Sequence, residues 1–205
     1  MPLKSPAIFI ADSVGLDFLN SIATPLDREI DWIGDGEGLL AWLEQAHLVP
    51  ADVLNTMRKH AKPGEIDRVA AQSRRLREWF RTLIREQQGK PPKTFEPGDL
   101  EPLNRLLSRD EGFGRLVPQK NGRTIELQRT RRWRSPESLL LPIAEALARI
   151  LAEEDLSDVK ACEGATCTLM FADRTRGRSR RWCSMEICGN RAKQIAHRRR
   201  LKESR

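Results

Sequence analysis

The sequence predicts a mainly α-helical protein in two parts: a helical domain with one β-hairpin over residues 1–155, and a small cysteine-bearing module over residues 156–205. Three observations carry this. Apolar residues recur at helical spacing through most of the first part. One pair of alternating runs, Phe113–Val117 and Thr124–Gln128, flanks Asn121-Gly122, two positions that tolerate positive φ and suit a two-residue turn. All four cysteines of the chain fall within 27 residues near its end.

The helices are predicted in order. The first spans Ser13–Ala23, capped by Asp12 or Ser13, with Leu16, Leu19 and Asn20 at helical spacing. The Gly/Asp-rich stretch 33–38 breaks that pattern and opens a second helix with Leu39, Leu40, Trp42 and Leu43 on its apolar side. Pro50 precedes a short helix over Ala51–His60, and Pro63 or Gly64 starts a long one reaching about Gln88. Its stripe is Ile66, Val69, Ala70, Leu76, Trp79, Phe80, Leu83 and Ile84. The run Gly89–Lys93 is a loop, and Asp99–Ser108 is a further helix. The last helix of this part is capped by Ser135, with Pro136 in its first turn, and runs to Glu154. A break follows near Glu154–Lys160.

Charge divides the chain in the same place. From Arg174 onward there are twelve Lys/Arg against two Asp/Glu, a net of +10, whereas residues 1–173 sum to −3. A basic C-terminus on a mildly acidic body points to a polyanionic partner, against the plainer reading of a solubilising tail. No apolar stretch approaches the ~20 residues that cross a bilayer. The opening residues lack an export signal, so a cytoplasmic location and no membrane partner are expected. In that reducing compartment four cysteines are read as metal ligands rather than disulfides.

The spacing is Cys162-x4-Cys167, fifteen residues, then Cys183-x4-Cys188. Two ligands per short loop bring their sulfurs to one side of the backbone, and four thiolates suit tetrahedral zinc. An iron–sulfur cluster also accepts four thiolates, but a hairpin between two two-ligand loops suits a single ion better. That hairpin is expected from Leu169–Phe171, a turn at Thr175–Gly177, and Arg180–Trp182 leading back to Cys183. A helix after Cys188 completes a treble-clef-like finger with one structural zinc held by Cys162, Cys167, Cys183 and Cys188.

These residues carry a resemblance. Cys188-Gly189-Asn190-Arg191 with Lys193, preceded by Arg181–Met185 and by Phe171, Asp173 and Arg174, resembles the CGNR zinc-finger family. Leu16–Asn20 and Trp42-Leu43 resemble the ABATE-type domain found before that finger. The resemblance covers nearly the whole chain, is specific over 162–193 and is diffuse before that. It implies a bacterial transcription regulator, in some members linked to stress responses, with the four cysteines as zinc ligands. The chain departs from the pattern at Ser21, where a threonine is expected after the asparagine.

The expected nucleic-acid surface comprises Arg174, Arg176, Arg178, Arg180 and Arg181 on the hairpin and Arg191, Lys193, Arg198, Arg199 and Lys202 on the last helix. Arginine's planar fork suits phosphate. Ala192, Ile195 and Ala196 would pack that helix onto the hairpin. Asn190 and Arg191 can read bases or brace the zinc loop, with bracing favoured for Asn190. Trp182 is expected in the finger's small core, and His197 on a solvated helix face. Duplex DNA is favoured over RNA, and a protein-interaction module is the remaining alternative. In the first domain, Asp17 and Asn20 sit one turn apart and can face a small-molecule pocket with Trp42 and Arg77, Trp32, Trp79 and Arg81 nearby; the plain alternative is core packing and local pairing. Self-association to a homodimer would place two fingers on two half-sites. No triad order, HExxH or phosphate loop is present, so no enzyme is expected.

Overall fold

The computed structural model describes residues 6–24, 28–87, 95–119 and 122–203. Gln88, the loop Gly89–Lys93 and Asn121 lie outside the described residues, as does the side chain of Arg199. Seven α-helices are described, with three small antiparallel strand pairs. The chain is mainly α, as its patterning predicts.

Helix α1 (Val14–Leu19) is short and almost wholly buried. It ends before the predicted Ala23 because Ser21 accepts the Trp32 amide at 2.8 Å, drawing the chain into strand β1 (Ile22–Ala23), which pairs with β2 (Ile30–Asp31). Helix α2 (Gly36–Gln45) is capped by Asp35, whose carboxylate accepts the Gly38 amide at 2.7 Å. Helix α3 (Ala51–His60) follows Pro50, and α4 (Glu65–Gln87) is the long amphipathic helix. Helix α5 (Pro97–Leu107) begins on a reciprocal cap between Glu96 and Asp99. A short 3-10 turn, Pro136–Leu139, leads into α6 (Leu140–Glu153).

The core gathers around α1. Leu16, Phe18 and Leu19 meet Leu39, Leu40 and Trp42 of α2, Val69, Phe80 and Ile84 of α4, and Ile143, Leu147 and Ile150 of α6. Burial of each large apolar side chain contributes ~1.5–3 kcal/mol. Gly15 permits the closest approach, since a Cβ there would lie 2.5 Å from Ile150 Cδ1 and 2.6 Å from the Ala146 carbonyl oxygen.

Strands β3 (Gly112–Pro118) and β4 (Ile125–Arg131) form the predicted hairpin, with Leu116 opposite Leu127. The connection is longer than a two-residue turn. Gln119 donates its amide to the Thr124 carbonyl at 2.9 Å, and Gly122 donates to the Gln119 carbonyl at 2.8 Å. This ribbon is exposed over nearly its full length.

The third pair belongs to the cysteine module. Strand β5 (Val159–Ala161) pairs with β6 (Met170–Ala172), register Lys160 to Phe171. The predicted strand is therefore right in place but has a different partner: it pairs with the segment before Cys162, not with Arg180–Trp182. That return segment is held to the knuckle by one backbone bond, Glu163 N–H to the Arg181 carbonyl at 2.9 Å. Met185–Gly189 forms a π turn, and α7 (Asn190–Glu203) follows. The expected packing of Ala192, Ile195 and Ala196 on the hairpin is absent. Ile195 is 40% exposed, and the main neighbour of α7 among the described elements is the π turn before it.

Candidate metal centre and basic surface

The metal centre is built from two loops. The β5–β6 connection carries Cys162 and Cys167; the segment entering the π turn carries Cys183 and Cys188. All four sulfurs lie within 4.8 Å of one another. Cys167 and Cys183 Sγ are 3.9 Å apart, far beyond a disulfide's ~2.05 Å and close to the roughly 3.8 Å edge of a tetrahedron with zinc–sulfur bonds of ~2.3 Å. Cys162, Cys183 and Cys188 are buried, and Cys167 is half-buried.

Local backbone serves the sulfurs. The amides of Gly164 and Cys183 point at Cys162 Sγ at 3.4 and 3.3 Å. Gly164 has no room for a side chain, because a Cβ there would sit 2.9 Å from Cys188 Sγ and 3.0 Å from Cys167 Cβ. Hydrogen bonds from Cys167 and Cys183, with those two amides, hold the Cys162 thiol far below its ordinary pKa. Burial pushes Cys188 up to about 12, and hydrogen bonds from Cys162 and Cys167 raise Cys183. Four neighbouring sulfurs cannot all ionise unaided; a divalent cation supplies the missing positive charge. The quartet fits one zinc ion, held by Cys162, Cys167, Cys183 and Cys188. Its role is structural, tying the knuckle to the start of α7.

Arg180 turns inward, whereas Arg174, Arg176, Arg178 and Arg181 stay exposed. Arg180 donates to Asp12 at 2.6 Å and to the Ile10 and Trp182 carbonyls at 3.1 Å each, and also reaches the Cys183 carbonyl. Its guanidinium lies 4.2 Å from the centre of the Phe171 ring. It bolts the metal loop to segment 10–12. Arg174 pairs with Glu154, and Arg178 with Asp158 at 2.9 Å. Arg181 pairs with Glu163 at 2.6 Å and lies over Trp182, which packs against the core as expected. Arg174, Arg178 and Arg181 thus meet carboxylates at the surface while remaining exposed, as Arg176 does. Asp173 is the hub that charge patterning missed. Its carboxylate accepts from Lys160 Nζ at 2.7 Å, from the Thr175 hydroxyl at 2.6 Å and from the Arg180 amide at 2.9 Å. Burial opposes its ionisation, but these donors prevail and hold its pKa well below the usual range.

Helix α7 is different. Arg191, Lys193, Arg198, Arg200 and Lys202 all stand exposed. Asn190, favoured as a brace, makes no side-chain bond to the knuckle and is exposed at the helix start. His197 is exposed, consistent with a sulfur set already complete. A groove of about 500 Å³ runs between residues 163–167 and α7, floored by Ala192, Ile195 and Ala196 and flanked by Arg191 and Arg200.

The expected small-molecule residues are brought into one region, and none of them lines a described groove. Asp17 is buried and accepts the Ile10 and Ala11 amides at 2.9 and 3.0 Å. That burial pushes its pKa up to about 6. Asn20 both donates to and accepts from the Met170 backbone at 2.8 Å. Trp42 is packed between Phe9 and Phe18. Arg77 grips Asp31 with two bonds of 3.0 Å and donates to Ser21 Oγ at 3.0 Å. Only an oxygen at position 21 is used, so serine serves where threonine is the expected residue. Trp32 is core, Trp79 is half-buried against it, and Arg81 bonds the Leu19 carbonyl. Asp17, Asn20 and Arg77 thus spend their polar side-chain atoms on protein partners.

A helical domain whose core extends into a four-cysteine knuckle and helix defines a zinc-finger protein. Residues 159–201 match the model of the CGNR zinc finger, and residues 12–154 match that of ABATE, described as "Putative stress-induced transcription regulator". The chain belongs to the ABATE family. No curated protein matches it. No described helix is long and apolar enough to cross a membrane.

Proposed function

We propose that this regulatory zinc-finger protein binds duplex DNA through α7, with the zinc ion fixing the helix to the body of the protein. One observation supports this reading above the others: α7 leaves the metal centre carrying exposed cations, and its main neighbour among the described elements is the turn before it. A helix with little apolar surface gains stability from its own propensity and from a partner, and here its charge selects a polyanion. The π turn ends at Cys188 and Gly189, so zinc sets the direction in which α7 projects.

The phosphate contacts are assigned to Lys193, Arg198, Arg199 and Lys202, with Arg200 and Arg191 along the groove and Arg176 on the hairpin. Phosphate contacts position without reading sequence; Asn190 and Arg191 at the helix start are the candidates for base contact. Four sulfurs complete the zinc's tetrahedron and leave no open position, which supports a non-catalytic role. RNA is the second reading, and an effector-sensing role finds no support in Asp17, Asn20, Trp42 and Arg77.

The test is a fluorescence anisotropy titration of the full-length chain against duplex DNA across a salt series, with and without chelation. Binding should weaken steeply with salt, with a slope of about 0.9 per phosphate contacted, and fail when zinc is stripped. Binding that survives zinc removal, or structured RNA outcompeting duplex DNA, would contradict the proposal.

A further inference from the structure

We infer that the β3–β4 ribbon is a homodimer interface, in which its apolar face packs on the same face of a second copy of the chain. The inference does not depend on nucleic-acid binding.

The ribbon exposes an unusual surface. Leu116 is 68% exposed, Ile125 70% and Leu127 69%. The register places Leu116 opposite Leu127 and Pro118 opposite Ile125. Strand residues two apart share a face, so all four side chains lie together on one side. Arg129, opposite Gly114, edges the same side, and the other side presents Phe113, Arg115, Val117, Glu126 and Gln128, a mixed set. The alternation is that of a sheet with one buried face, yet nothing among the described residues covers it. Gly114 lies under Leu127, 3.1 Å from where its own Cβ would stand, which lets Leu127 lie flat on the ribbon and widens the apolar patch.

A two-stranded ribbon is marginal by itself in water, and a contiguous apolar patch of a few hundred Å² marks an association site. Leu116, Ile125 and Leu127, each about two-thirds exposed, make with Pro118 a patch on the order of a few hundred Å² per copy. Mutual burial of this patch together with the strand backbones reaches the low end of interface areas, which suits a weak, concentration-dependent dimer; Phe113, 40% exposed, lies on the opposite side. A twofold axis through the Leu127 pair makes the face its own complement, as an isologous dimer requires. The apolar side chains on this face are aliphatic and unpaired with acceptors, which favours a protein surface over a phosphate backbone.

Sedimentation velocity on the zinc-loaded full chain, from 1 to 100 μM without nucleic acid, tests the inference. The wild-type chain should sediment as a concentration-dependent dimer. Leu127→Lys, and separately Leu116→Lys, should raise the dissociation constant at least tenfold while leaving the thermal midpoint of the monomer unchanged, because both side chains are solvent-exposed in one copy. Gln128→Lys, on the opposite face, should leave dimerisation as it was. A wild-type monomer at 100 μM would overturn the interface, as would a dimer indifferent to Leu127→Lys or equally weakened by Gln128→Lys. A monomer whose DNA affinity falls with Leu127→Ser would reassign the ribbon to nucleic acid.

Discussion

Asn20 and Met170 exchange two hydrogen bonds of 2.8 Å across 150 residues of sequence. The side-chain amide of Asn20 imitates a neighbouring strand: it donates to the Met170 carbonyl and accepts the Met170 amide. With Ala172 N–H bonded to the Ala11 carbonyl at 3.1 Å, the pair extends the β5–β6 hairpin onto the helical domain. Finger and domain consequently share one core, in which Val159, Leu169, Met170 and Phe171 join the residues around α1.

Asn20→Ala should therefore destabilise the whole chain by about 2–4 kcal/mol, since two bonds are lost and two buried backbone groups are left without partners. Urea unfolding of the zinc-loaded protein measures it. A change under about 0.5 kcal/mol would show that the finger docks without this pair.

Cys167→Ser should lower zinc content from one per chain toward none and unfold the knuckle. A structural zinc contributes roughly 10 kcal/mol or more of binding free energy, so three sulfurs will not hold the finger at micromolar zinc. Metal analysis of the purified variant beside its thermal unfolding curve reads the effect; full zinc retention would remove Cys167 from the ligand set.

Arg180 and Arg198 should separate stability from binding. Arg180→Ala removes the bolt from Asp12, Ile10 and Cys183, costing about 2–4 kcal/mol. Arg198→Ala, on an exposed face, should stay within about 0.5 kcal/mol of wild type and instead reduce the salt slope of DNA binding by about one. Paired denaturation and anisotropy measurements check both, and an Arg180→Ala chain of unchanged stability would refute the docking role.

Asp17 should make stability fall with rising pH. Its carboxyl ionises at about 6 in the folded chain against 3.8 ordinarily. The folded state holds the proton more tightly, so Asp17's contribution is most favourable below pH 4 and is lost between about 4 and 6. The loss is about 3 kcal/mol at full expression. Asp17→Asn keeps an oxygen for the Ile10 and Ala11 amides and does not titrate. The stability difference between wild type and variant should shift by that amount across the window; a flat difference would contradict it.

Helix periodicity located α2, α3, α4 and α6 because each buries one stripe, and that stripe is written at 3.6-residue spacing. It overran α1, whose end is set by Trp32 pairing with Ser21, a contact no local pattern records. The basic surface was legible only in part. Charge counting finds Arg174, Arg178, Arg180 and Arg181, but their acidic partners at Glu154, Asp158, Asp12 and Glu163 come into reach only on folding.

The sequence by itself determined the zinc site, because two ligands on each of two short loops meet by local geometry, and it determined the helical class and the family. Tertiary structure alone decided that Asp17, Asn20 and Arg77 spend their polar atoms on distant protein partners and that Trp42 packs between Phe9 and Phe18, that β6 pairs with β5, and that α7 carries its cations exposed. The physical reason is reach: metal chemistry and helix periodicity act over a few residues, whereas the partner of a buried polar group is chosen by which distant segments the core brings into contact.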